Sequence, residues 1–115
     1  MKKYNFLFAT DAKFGWLLPL VLSSIFDNAN NVQCRVFIYY SSMHDKDKNN
    51  IKLVAEHYNQ EVVFKKFNVK VAMDAHNLQD APAWFGSFDA YTRIFAVEDL
   101  YQQGIDKCIY LDCDV

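Results

Sequence analysis

An α/β fold, with a mainly parallel sheet of about four strands flanked by helices, is the class this 115-residue sequence predicts. Three observations lead there. Four short apolar runs alternate with three stretches of helical periodicity, in the order β-α-β-α-β-α-β, which is the signature of a parallel sheet wound with helices. The composition, 52% hydrophobic and 17% aromatic with few glycines and prolines, is that of a globular chain long enough for one domain. Finally, the first and last runs end in carboxylates, Asp11 and the pair Asp112/Asp114. Open α/β sheets bind their ligands outside the carboxyl ends of their strands.

The first strand is read over Tyr4 to Thr10, an apolar and aromatic run that stops at Asp11. From Trp16 onward Leu18, Val21, Leu22, Ile25 and Phe26 recur at helical spacing, and Pro19 is tolerated in a first turn. Asn28 to Asn31 form the turn that ends this helix. Cys34 to Tyr40 is the second strand, with Val36 and Ile38 on one face. A polar loop, Ser41 to Asp45, offers Ser42 or Asp45 as N-cap to a helix over Asp47 to Asn59. Ile51, Val54 and Tyr58 are its inward residues, its lysines form a solvated face, and His57 packs beside the apolar stripe.

Glu61 to Phe67 is the third strand, with Val62, Phe64 and Phe67 its apolar members. Val69 to Pro82 has weak periodicity and ends in a loop. Ser87 can cap a third helix, with Asp89 in its first turn and Phe88, Tyr91, Ile94 and Phe95 on its apolar side. Arg93 is the one charge between Ala90 and Val97. Gly104 breaks the chain, and Lys107 to Asp112 is the fourth strand. Neither repeat, low-complexity segment nor linker divides the chain.

Charge and cysteine usage narrow the function classes. A net charge of −2 without a basic cluster argues against nucleic acid or an anionic membrane surface as partner. Three cysteines, Cys34, Cys108 and Cys113, are an odd number and read as buried reduced thiols of a cytoplasmic or membrane-peripheral protein. With three scattered histidines and no C-x-x-C, zinc is not indicated. Lys2 and Lys3 before the apolar run Phe14 to Phe26 imitate a signal peptide, but Asp11 and Lys13 interrupt it, and the run is too short to span a bilayer. Neither a dinucleotide fingerprint nor a P-loop occurs.

The chemistry concentrates in Ile109 to Val115, I-Y-L-D-C-D-V. On an extended backbone Asp112 and Asp114 point to one face and Cys113 to the other, where it reads as packing. Two hard oxygen donors at a strand end suit Mg²⁺ or Mn²⁺ and, through the metal, a phosphate. A strand ending in a solvated acidic turn would look the same. If the first and fourth strands are neighbours, one crevice gathers Asp11, Phe14, Arg93, Asp112 and Asp114. That set can serve a nucleoside diphosphate: an aromatic face for a base, an acceptor for a base N–H, a guanidinium for phosphate and a carboxylate pair for metal.

F-A-T-D at Phe8 to Asp11, the helix behind it, S-x-x-x-Y-x-R at Ser87 to Arg93, and Y-L-D-C-D at Tyr110 to Asp114 together resemble glycosyltransferase family 8. The resemblance spans essentially the whole chain in the right order. It implies a Rossmann-like GT-A fold and metal-dependent, retaining hexosyl transfer from UDP-glucose or UDP-galactose, with Mn²⁺ or Mg²⁺. The acceptor would be a glycan, a lipid-linked or lipopolysaccharide-type molecule, or a protein. By position, Ala9, Thr10 and Asp11 would meet uracil and ribose. Phe14 would stack on the base where the family usually has tyrosine, and Lys13 replaces a common asparagine. Arg93 would reach the sugar-diphosphate. Asp112 and Asp114 would hold the metal, with Cys113 between them in the same nucleotide-sugar-binding stretch.

Family members continue past this motif into acceptor-binding segments and a metal-binding histidine. The resemblance therefore implies a donor-binding part, inactive alone, whose exposed sheet edge invites self-association or a partner chain. Two rival readings stand beside it. One is a non-catalytic nucleotide-binding module. The other is a haloacid-dehalogenase-like phosphotransferase, since Asp112 to Val115 fits D-x-D-x-[TV], although that motif normally opens its domain.

Overall fold

A computed structural model describes residues 2–29, 31–68, 71, 73 and 92–111, apart from the side chain of Arg93. The first two apolar runs form two long strands, β1 (Lys2–Thr10) and β2 (Val32–Tyr40), paired in parallel residue for residue from Lys2↔Val32 to Thr10↔Tyr40. Both begin two residues before the apolar runs, because the ladder carries Lys2 and Lys3 along with it. β3 (Glu61–Lys66) lies outside β2, and the short β4 (Ile109–Tyr110) lies on the other side of β1. The sheet order is β3-β2-β1-β4 and all pairings are parallel. The Rossmann-like α/β class read from the sequence is the class observed.

Buried on both faces, the central strands carry two cores. Phe8, Val36, Ile38 and Tyr40 face one side and meet Leu18, Leu22 and Phe26 of α1 (Leu18–Asp27) and Ile51 and Ala55 of α2 (Asp45–His57). Leu7, Phe37 and Tyr39 face the other and meet Ala96 and Leu100 of α3 (Thr92–Gln102). Burying each such large apolar side chain is worth about 1.5–3 kcal/mol. β3, at the edge, holds Val62 and Phe64 only half-buried, on the α1/α2 side.

Several element details differ from the sequence reading, each for a local reason. A 3₁₀ turn (Gly15–Leu17) precedes α1, leaving Trp16 exposed and placing Pro19 at the helix start, where its missing N–H costs nothing. α2 begins at Asp45 with neither Ser42 nor Asp45 as cap. His44 takes the N-cap place in extended conformation without a side-chain bond, while Asp45 and Asp47 in the first turn interact favourably with the positive end of the helix dipole. His57 is exposed, its ring in a T-shaped contact with the neighbouring Tyr58 ring, centroids 4.9 Å apart, rather than buried beside the apolar stripe. Lys48 is half-buried, its ammonium 5.1 Å from the Phe64 ring and 3.3 Å from the Tyr40 hydroxyl, so the charged face is not wholly solvated.

Both α2 and α3 end in Schellman motifs. Asn59 takes φ 57° while the N–H of Gln60 bonds the Ala55 carbonyl at 2.9 Å. Gly104 takes φ 87° while the N–H of Ile105 bonds the Leu100 carbonyl at 2.9 Å. The fourth strand shrinks from the expected Lys107–Asp112 to two ladder residues because it has β1 alone as neighbour among the described residues. Asn5 instead donates its amide to the Lys107 carbonyl at 3.3 Å.

α3 is rotated relative to the expected apolar side. Phe95 is buried, but Ile94 is 59% exposed, and Thr92, Ala96 and Leu100 complete the inward face. The same face carries a polar contact: the buried Tyr39 hydroxyl donates to the Asp99 carboxylate. Burial first, then the Asp99 hydrogen bond and charge, raise the Tyr39 pKa far above the usual phenol value. The folded state thus holds the proton more tightly than the unfolded chain. Its stabilisation is complete below pH about 10 and is lost as pH rises beyond that. In denaturant melts between pH 9 and 11.5, the wild type should lose stability more steeply than Tyr39→Phe; parallel curves would refute this.

The weakly periodic stretch Val69–Pro82, save Val71 and Met73, and the proposed Ser87 cap lie outside the described residues.

Candidate functional site

The topology selects one end and one place in the sheet. From β1 the chain winds outward to β2 and β3 with α1 and α2 on one face, then returns through α3 on the opposite face to β4 beside β1. The winding reverses between β1 and β4. In open α/β sheets such a switch point leaves a crevice at the carboxyl ends of its two strands, because the connections depart to opposite faces. The condition set by the sequence reading, that the first and fourth strands be neighbours, is met.

At this end β1 delivers Ala9, half-buried, and Thr10, buried beside Tyr40. The Thr10 hydroxyl donates to the Asp11 carbonyl at 3.4 Å. The Asp11 carboxylate accepts the Lys13 N–H at 3.0 Å, and its carbonyl accepts the N–H groups of Phe14 at 3.3 Å and Gly15 at 3.0 Å. Asp11 therefore organises the turn that follows it, as aspartates do in Asx-turns. That turn presents Phe14 with its ring 37% exposed and the Lys13 ammonium 5.5 Å from the ring centroid. Ala9, Thr10, Asp11 and Phe14 thus form one continuous lip.

α3 brings its N-terminal part to the same end of the sheet. Phe95 lies 5.9 Å from the Phe67 ring, and the Phe67 N–H bonds the carbonyl of Tyr40, the last residue of β2. Arg93 precedes Phe95 by two residues on that helix; its side chain lies outside the described residues. β4 leads in from the opposite flank, the Leu111 N–H donating to the Leu7 carbonyl at 3.1 Å. Asp112, Cys113 and Asp114 lie outside the described residues. Among the described residues no group of three or more His, Cys, Asp or Glu could hold a metal.

The Tyr40–Lys48 contact beside Thr10 escaped the sequence reading, since nothing in helical periodicity marks which lysine leans back onto a strand end. Cys34 and Cys108 are free thiols whose pKa values burial raises. Among the described residues no helix is long and apolar enough to cross a membrane.

No curated protein and no solved structure matches the chain significantly. The family model for glycosyl transferase family 8, however, matches residues 5–115, from the middle of β1 through the D-x-D pair. With nearly its whole length covered by that model, and with the parallel α/β sheet the family resemblance implies, this chain belongs to glycosyltransferase family 8.

Proposed function

We propose that the chain is the nucleotide-sugar-binding part of a hexosyltransferase that takes UDP-glucose or UDP-galactose in the crevice between β1 and β4. The observation that supports this most is the reversal of winding between those strands, with the Asp11 turn on one lip and the N-terminal part of α3 at the same end. Phe14 offers the uracil a flat apolar face. The Ala9–Asp11 backbone and the Asp11 carboxylate offer acceptors to the base and ribose. Arg93 brings a guanidinium suited to the diphosphate.

Asp112 and Asp114 supply two carboxylates, the hard oxygen donors that Mn²⁺ and Mg²⁺ take, and would hold such an ion. When bound, the ion supplies positive charge to the departing UDP. The residues of the chain bind and orient the donor so that its anomeric carbon faces an acceptor, a glycan, lipid-linked sugar or protein. Retention at that carbon follows the family.

Calorimetric titration of the chain with UDP, with and without Mn²⁺, tests the reading. Metal-dependent binding that disappears in the Asp112→Asn/Asp114→Asn variant is the expected result. Equal binding by the variant and the wild type, or binding indifferent to metal, would refute the metal assignment. No binding by a chain shown to be folded by circular dichroism would refute the site.

A further inference from the structure

At the opposite end of the sheet the structure holds a second polar depression. Lys3, Asn5, Gln33, Arg35 and Glu61 line a cavity of about 140 Å³. They occupy adjacent register positions, Lys3↔Gln33, Asn5↔Arg35 and Arg35↔Glu61. Alternation along each strand puts them on the α3 face, below Leu7, Phe37 and Val63. From Asn5 to Asp11 is six strand residues, about 20 Å along the sheet, so this cavity is remote from the crevice.

Arg35 is held from behind. Its Nε donates to the Asn5 side-chain oxygen Oδ1 at 3.2 Å, and its guanidinium carbon lies 5.4 Å from the centroid of the Phe37 ring. The same Asn5 donates to the Lys107 carbonyl at 3.3 Å, which fixes the acceptor that orients Arg35. With Nε and one face of the group engaged, the two terminal nitrogens remain. Among the described residues they have no hydrogen-bond or ion-pair partner, and neither do the Lys3 ammonium and the Glu61 carboxylate. A half-buried guanidinium already fixed in orientation loses little entropy on meeting an anion, and its paired N–H groups match two oxygens of a phosphate or carboxylate.

We propose that this cavity is an oxyanion-binding site. Arg35 is its bidentate anchor, Lys3 a second cation, and Glu61 the group that weakens the site and limits the charge it accepts. The ligand class is a small molecule or group bearing a phosphate or a carboxylate. Nothing in this assignment depends on the nucleotide-sugar site.

Titrating ¹⁵N-labelled chain with sodium phosphate and, separately, sodium acetate at constant ionic strength tests it and tells the two anions apart. At least one should give saturable shifts at Lys3, Asn5, Arg35 and Glu61. Arg35→Gln should weaken that binding about tenfold or more, the scale of a charge-assisted pair. Lys3→Gln should weaken it less. Glu61→Gln should tighten it, an opposite effect that a merely destabilised variant would not produce. Shifts confined to residues 11–14, linear shifts with both anions, or affinities unchanged in Arg35→Gln and Glu61→Gln would overturn the proposal.

Discussion

Replacing Phe8 by alanine is expected to cost about 3–5 kcal/mol of folding stability, the range for removing a buried aromatic ring. Phe8 is fully buried on β1, which has a neighbouring strand on each side, and lies in one core with Leu18 and Leu22 of α1 and Ile38 of β2. Its backbone is pinned in register opposite Ile38, so the strand cannot slide to fill the void. A domain of this size has about 5–15 kcal/mol in total, and the loss would approach unfolding. With a urea slope of about 1–3 kcal/mol/M, the midpoint should fall by more than about 1 M. Leu20→Ala, at a position 65% exposed on α1, is the control and should stay within about 0.5 kcal/mol. A Phe8→Ala loss below about 1 kcal/mol would mean the cluster around it is not close-packed.

Phe8 also shows why so much of the fold was legible. Runs such as Phe6–Phe8 and Val36–Tyr40 are apolar at successive positions, which marks a strand covered on both faces. The i, i+4, i+8 spacing of Leu18, Leu22 and Phe26 marks a helix that covers one of them. What the pattern does not carry is anything decided by one polar atom at long range. Asp99 of α3 pairs with Tyr39, sixty residues away, and no window on the helix alone contains that information. The His44 cap and the two-residue β4 are likewise settled by neighbours, a first-turn dipole and a single adjoining strand.

The candidate site divides in the same manner. That the first strand stops at Asp11 was legible because a carboxylate follows the apolar run; the turn that Asp11 then closes through local bonds was not read from the sequence. That β4 returns beside β1 was stated only as a condition, since strand order is a tertiary property, and the parallel pairing Phe6↔Ile109 meets it. The Arg35 cavity was not legible. Asn5, Arg35 and Glu61 are separated by about thirty and twenty-six residues, and only the parallel register sets them side by side.

Phe14→Ala should separate binding from folding, and it carries the largest expected effect on ligand affinity among single side chains described at the lip. The ring contributes little to the core: it is 37% exposed and belongs to neither cluster. Stability should therefore change by no more than about 1 kcal/mol, mostly the lost contact with the Lys13 ammonium. A base stacked on an aromatic side chain contributes about 1–3 kcal/mol by alanine substitution, so UDP affinity should fall about 5- to 150-fold. Phe14→Tyr should retain the stack and with it most of the affinity. Calorimetry with UDP, beside thermal melts of the three chains, reads both quantities. If Phe14→Ala binds UDP as tightly as the wild type while remaining folded, the base does not rest on this ring, and the lip at Ala9–Asp11 must hold it by backbone contacts alone.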